Sequence, residues 1–109
     1  MQAVKTGIHE RHKNRARVLK ALAHPARLGL VEELAAGERC VCDLAARIGV
    51  ELSTVSRHLS LLRAAGLLED EKRGTQVFYR LRAPCVLRFF ECLAELERAQ
   101  RQEELFHAA

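Results

Sequence analysis

The reactive chemistry of this 109-residue chain is concentrated in four cysteines: Cys40 and Cys42, one residue apart, and Cys85 and Cys92, seven positions apart. Thiolates bind soft ions and are also the groups that oxidise to disulfides or persulfides. Four cysteines in a secreted chain would form two disulfides, whereas in a reducing cytosol they are free thiols or metal ligands. Residues 1–20 lack the apolar core of a signal peptide. No apolar run approaches the roughly 18 residues of a membrane span, so a cytoplasmic protein with no membrane partner is expected. Cys40 and Cys42 point to one side only on an extended backbone, because positions i and i+2 of an α-helix lie about 200° apart. Joint ligation is therefore expected to oppose helix formation at the start of segment 42–48, a candidate switch. Cys85 and Cys92, on one straight helix, are about 10.5 Å apart along its axis, too far to share an ion with metal–sulfur bonds of about 2.3 Å. Two arrangements remain: a second subunit brings its Cys92 to Cys85, or one of the two completes the Cys40/Cys42 pair. The bland alternative for Cys85 and Cys92 is that they are small buried apolar side chains. His9, His12, His24 and His107 are read as non-ligands.

A second constellation lies on segment 53–65. At 100° per residue, Val55, Leu59 and Leu62 fall in one narrow sector, the core side. Ser53, Ser56, Arg57 and Ser60 lie opposite, with Thr54 flanking them and Arg63 at the edge. Short hydroxyls let a helix approach a groove floor, and an arginine can grip guanine O6 and N7 together. These residues are candidates for contact with double-stranded DNA, as are Lys72, Arg73, Gly74 and Gln76 around a basic turn that would touch phosphate or the minor groove. His58, beside the core sector, is kept among the DNA candidates, although a structural hydrogen bond suits its position better.

These residues need elements to position them. Basic and apolar residues mix at helical spacing over 9–22. Pro25 suits the first turn of a helix that ends at Gly37. A short amphipathic helix over 42–48 closes at Gly49, and a helix with Ser53 as N-cap stops at Gly66; together 42–65 form a helix-turn-helix. Alternation over 67–82, with Lys72-Arg73-Gly74-Thr75 as the turn, predicts a β-hairpin. Pro84 opens a last helix over 84–106, with Cys85, Phe89, Cys92 and Leu96 along one stripe. The expectation is one domain over 1–109, mainly α with a small β-hairpin. Charge divides along the chain: residues 1–90 carry 16 basic and 9 acidic side chains, a net of +7, and residues 91–109 carry 2 and 5, a net of −3. A basic body with an acidic end suggests that only the body meets a polyanion. No Gly-rich phosphate loop, nucleophile elbow or plausible paired carboxylates point to an enzyme, and the cysteine spacing matches no zinc ribbon.

Taken together, Leu19-Lys20-Ala21-Leu22-Ala23-His24-Pro25-Ala26-Arg27-Leu28, Cys40-Val41-Cys42-Asp43-Leu44, Ser53-Thr54-Val55-Ser56-Arg57-His58-Leu59, Ala65-Gly66-Leu67 and Val77-Phe78-Tyr79-Arg80-Leu81 resemble the ArsR/SmtB family of metal-sensing repressors. The resemblance covers about residues 16–95. It implies a winged helix-turn-helix, homodimeric through its first and last helices, that binds operator DNA and leaves it when a metal or metalloid binds. The implied inducers are arsenite or antimonite, As(III) or Sb(III), with Cd(II), Pb(II) or Zn(II) as other thiophilic ions; Cys40, Cys42, Cys85 and Cys92 are the implied ligands. One departure stands out. The arsenic-responsive pattern continues Cys-Val-Cys-Asp-Leu-Cys, and here Ala45 takes the last position, so a third thiolate would have to be Cys85 or Cys92. A thiol-redox or persulfide-responsive repressor of the same fold is the alternative reading.

Overall fold

The computed structural model describes residues 2–108; the end residues of the predicted 1–109 domain, Met1 and Ala109, lie outside the described residues. Helix α1 (Gln2–Leu22) and helix α2 (Pro25–Ala35) meet at a sharp joint. His24 makes that joint. Its extended backbone precedes Pro25 at the first helical turn, and its Nδ1 accepts the Ala26 N–H at 3.1 Å, satisfying a donor that a helix start leaves free. The predicted start of α1 at residue 9 is corrected to Gln2: the pattern holds no proline before Pro25, and Gly7, at about 1 kcal/mol, is too weak a breaker to stop the helix.

Strand β1 (Arg39–Cys40) leads directly into helix α3 (Val41–Ile48), and Gly49, at φ 75°, takes the left-handed turn into helix α4 (Leu52–Ala64). Ser53 is not the N-cap. Glu51 occupies that position without a side-chain cap bond, so Ser53 sits inside the first turn with its hydroxyl exposed. The hairpin is β2 (Leu68–Arg73) and β3 (Gln76–Leu81), paired antiparallel from Leu68 opposite Leu81 to Arg73 opposite Gln76. Its turn is only Gly74-Thr75, with Gly74 at φ 63°, so Lys72 and Arg73 belong to the strand and not to the loop. β1 adds a third strand on the other side of β3, with Arg39 opposite Tyr79 and Cys40 opposite Phe78.

The final segment is also corrected. Pro84–Val86 forms a single 3-10 turn, and helix α5 (Leu87–Ala108) begins after it. Cys85 is therefore not on the helix that carries Cys92, and the straight-helix spacing expected for the pair does not apply.

The core gathers Leu30, Val31 and Leu34 of α2, Leu44 of α3, Val55, Leu59 and Leu62 of α4, and Leu67, Leu68, Tyr79 and Val86. The predicted core sector of α4 is thus fully buried. Helices α1 and α5 differ: Leu19 (52%), Phe89 (52%), Leu93 (43%) and Leu96 (56%) stay exposed. The radius of gyration is 17.4 Å, against about 13 Å for a compact domain of this length. The excess reflects two long helices whose apolar faces this chain does not cover.

Candidate nucleic-acid interface and thiol site

The outward face of α4 carries Ser53, Ser56, Arg57 and Ser60, all exposed, with Thr54 half-buried. The burial of Val55, Leu59 and Leu62 on the opposite side is what turns this face outward. Among the described residues Arg57 makes no side-chain hydrogen bond or ion pair, so its guanidinium is fully available to a ligand.

The cations of the hairpin are held differently. Arg73 donates to Glu71 Oε1 at 2.7 Å and to Glu38 Oε2 at 3.0 Å, and stacks over the Phe78 ring with its Cζ 4.5 Å from the centroid. The hydrogen bonds to Glu71, then to Glu38, keep the Arg73 pKa above its ordinary range, and Arg73 in turn holds Glu71 below its own. Arg80 pairs with Glu69 at 2.9 Å and reaches Glu38 at 3.5 Å. On the edge of α4, Arg63 pairs with Asp70 of β2 at 2.9 Å. Lys72 is exposed and, among the described residues, unpaired. Gly74 and Gln76 are exposed at the tip and at the start of β3.

His58 turns inward. Its Nδ1 lies 3.2 Å from Arg27 Nη1 and its ring 4.5 Å from the His24 ring. A guanidinium can only donate, so Nδ1 is the acceptor and the ring proton sits on Nε2. Burial, then the charges of His24, Arg27 and Arg57, push the His58 pKa down. The same Arg27 donates to Ala21 O at 2.6 Å at the end of α1, so it ties α1 to α4. His58 is a structural link in this chain.

The thiols meet the α4 face in one groove. Cys40, Val41 and Cys42 form one wall, Leu52, Ser53 and Ser56 of α4 a second, and Thr75, Gln76 and Val77 of the hairpin the third, around an open space of about 390 Å³. Cys40 is extended, at φ −80° and ψ 159°, and lies before α3, while Cys42 is in the first turn of α3. Of the two thiols, only Cys42 is on helical backbone. The turn bearing Cys42 is braced: Asp43 accepts from Arg39 at 3.0 Å and from Arg47 at 3.2 Å, and Arg47 pairs with Glu33 of α2 at 3.4 Å. Arg39, then Arg47, lower the Asp43 pKa. Neither Cys85 nor Cys92 lines this groove; both are exposed, on the 3-10 turn and on α5. Among the described residues no group of three His, Cys, Asp or Glu side chains is placed to hold a metal ion. No helix among them is long and apolar enough to cross a membrane.

Sequence reasoning missed β1, the groove itself and the carboxylates on the hairpin arginines.

The family model for bacterial regulatory proteins of the arsR family matches residues 24–70. The arsenical resistance operon repressor of Escherichia coli is 49% identical over 65 residues, which cover 59% of this chain and 56% of the relative. The solution structure of the homodimeric winged helix-turn-helix DNA-binding domain Mb0332 from Mycobacterium bovis, a possible ArsR-family transcriptional regulator, superposes with a TM-score of 0.75. It is 34% identical, over 87% of this chain and 88% of that one. The AntR antimony-specific transcriptional repressor superposes with a TM-score of 0.67 at 38% identity, over 77% of this chain and 78% of that one. The chain spans 65%, 33% and 56% of the length of three curated relatives it matches.

Proposed function

The chain belongs to the arsR family of bacterial regulatory proteins, and from that premise we propose that it is a cytoplasmic, homodimeric repressor that binds double-stranded operator DNA and is released by a thiophile held on cysteine thiolates. The observation that carries the reading is the shared groove: Cys40 and Cys42 face the same space as Ser53 and Ser56 of α4 and Gln76 of the hairpin. Whatever the thiols take up changes the surface offered to DNA. Arg57, Ser53, Thr54, Ser56 and Ser60 read base edges, and Lys72, Arg73, Gly74, Gln76 and Arg63 sit against the backbone. Only a few kcal/mol of differential binding is needed to empty an operator.

The dimer forms through α1 and α5. Leu19, Leu22, Leu28, Phe89, Phe90 and Leu93 line an apolar groove at these helices, and the exposure of Leu19, Phe89 and Leu93 is what a second copy would remove. The inducer is arsenite or antimonite, or another thiophilic ion such as Cd(II), Pb(II) or Zn(II). Two relatives named for arsenical resistance and antimony support the first pair. Cys40 and Cys42 form the sensing pair; a bare ion that demands three sulfurs must add Cys85 or Cys92, which do not share the groove.

The test is titration of reduced protein on operator DNA, selected from a random pool, with arsenite, antimonite, cadmium, lead and zinc, repeated with each of the four Cys→Ser variants. Cys40→Ser and Cys42→Ser are expected to bind DNA as wild type does and to lose the response. Release by mild oxidant but by none of the ions would replace the metal reading with the thiol-redox one.

A further inference from the structure

We propose that α1 is a third DNA-binding element, whose exposed stripe Lys13, Arg17 and Lys20 holds phosphates of double-stranded DNA beyond the base pairs that α4 reads. The proposal rests on the repressor reading above and adds a contact surface to it. Charge carries it first. Helix α1 contains six basic side chains against Glu10 alone, a net of +5, so most of the +7 over residues 1–90 lies here. Arg63, Arg73 and Arg80 are paired with carboxylates, whereas among the described residues no ion pair involves α1. Arg17 donates to Asn14 Oδ1 at 3.2 Å, a neutral partner that leaves its charge unanswered. Lys13 and Arg17, four positions apart, repel each other on the helix surface, as do Arg11 and Arg15. A polyanion relieves a helix that gathers like charge in this way.

Placement carries it second. At about 100° per residue, Lys13, Arg17 and Lys20 fall within about 60° of one another, and each lies about 100° or more from the exposed apolar pair Ile8 and Leu19. A second copy that covers Ile8 and Leu19 therefore leaves these cations in solvent. Arg17 and Lys20 also share a groove of about 320 Å³ with Arg27 of α2 and with Leu61, Ala64 and Ala65 at the end of α4. Leu61 and Ala64 follow Arg57 by four and seven positions, so the groove continues the outward face of α4. Arg27 turns its guanidinium to Ala21 O and to His58, which leaves Arg17 and Lys20 as the exposed cations of the groove. The stripe from Lys13 to Lys20 runs about 10.5 Å, a rise over which one DNA strand presents about three phosphates.

The test is fluorescence anisotropy on an operator duplex selected from a random pool and on a scrambled duplex, each across a series of salt concentrations, with dimerisation followed by sedimentation. Wild type is compared with Arg17→Gln/Lys20→Gln, with the charge-keeping Arg17→Lys/Lys20→Arg, and with Arg11→Gln/Arg15→Gln, which removes equal charge from another side of the same helix. Arg17→Gln/Lys20→Gln is expected to lose about tenfold in affinity for both duplexes and to keep the preference between them. Its log–log salt slope should fall by up to about four per dimer, since four cations release about 0.9 counterion each. Arg17→Lys/Lys20→Arg should retain the wild-type slope, and Arg11→Gln/Arg15→Gln most of it. An unchanged slope in Arg17→Gln/Lys20→Gln overturns the proposal. So does an equal fall in Arg11→Gln/Arg15→Gln, which would reduce the effect to net charge. Dissociation of the Arg17→Gln/Lys20→Gln dimer also overturns it, by setting the stripe against the acidic end of a second copy. Wild type that binds neither duplex would defeat the repressor reading itself, whereas wild type whose binding is indifferent to the stripe defeats this inference alone.

Discussion

Arg57 of helix α4 and the arginines Arg73 and Arg80 of the hairpin are held in opposite states. Arg57 of α4 is unpaired among the described residues, whereas Arg73 and Arg80 of the hairpin share Glu38 and hold Glu71 and Glu69 respectively. A free guanidinium that meets a base or phosphate loses only water. A paired one must first give up a carboxylate, and the new contact is worth only the difference between phosphate and carboxylate. A count of cations alone therefore overstates what Arg73 and Arg80 offer relative to Arg57. The hairpin strands add nothing to the net +7 over residues 1–90, since Lys72, Arg73 and Arg80 are matched in number by Glu69, Asp70 and Glu71, and the proposed base reading rests on α4.

Arg57→Ala should have the largest effect. Loss of a bidentate base contact is worth about 1–3 kcal/mol, so operator affinity should drop about tenfold to a hundredfold with relaxed sequence preference. Fluorescence anisotropy on operator and scrambled DNA checks it, and unchanged selectivity would remove Arg57 from base reading and break the contrast. Glu38→Gln comes next, since it withdraws one carboxylate from two arginines. Affinity for all sequences should rise about threefold and the salt dependence steepen by up to about one counterion. A salt slope that does not move would mean that the hairpin arginines do not face DNA. Arg73→Ala is expected to cost less than about threefold, uniformly across sequences, because Glu38 and Glu71 already oppose its charge. A loss as large as that of Arg57→Ala would reverse the assignment of roles.

What the sequence revealed follows from the range of each interaction. The core sector of α4, the Gly49 turn and the hairpin depend on spacings of two to four residues and were legible. The role of His58 was half legible: its place beside the core sector pointed inward, but Arg27, 31 positions away, supplies its partner. The restraint on Arg73 was not legible, because Glu38 is 35 positions distant and becomes its neighbour only when the hairpin folds back over the α2–β1 loop. β1 was hidden for a different reason. Two residues are too few to show alternation, and its pairing with Tyr79 and Phe78 is a tertiary event. Cys85 was misplaced because Pro84 begins a helix well, and nothing local distinguishes a 3-10 turn from the first turn of α5. The thiol pair was found by spacing, but the groove that gives it a ligand is built from three separate elements.

The smallest expected effect concerns the anchor of α4 and depends on pH. His58 has its pKa lowered in the folded protein, first by burial and then by His24, Arg27 and Arg57. The unfolded chain, near the ordinary value of about 6.5, binds the proton more readily. Stability contributed by neutral His58 is therefore fully present above about pH 6.5 and is lost as pH falls toward the lowered folded value. Protonation at Nδ1 would also set a donor against the Arg27 Nη1 donor 3.2 Å away and cut the tie between α4 and α1. Glu71 and Asp43 do not interfere in this window, since their arginine partners hold both below their ordinary 4.5 and 3.8. Between about pH 7.5 and about pH 5.5, wild-type Tm should fall by a few degrees more than that of His58→Asn, whose amide oxygen can occupy the acceptor position without titrating. Equal declines in the two proteins would show that His58 is not the titrating group, and that the anchoring of α4, like the restraint of the hairpin, is indifferent to pH in this range.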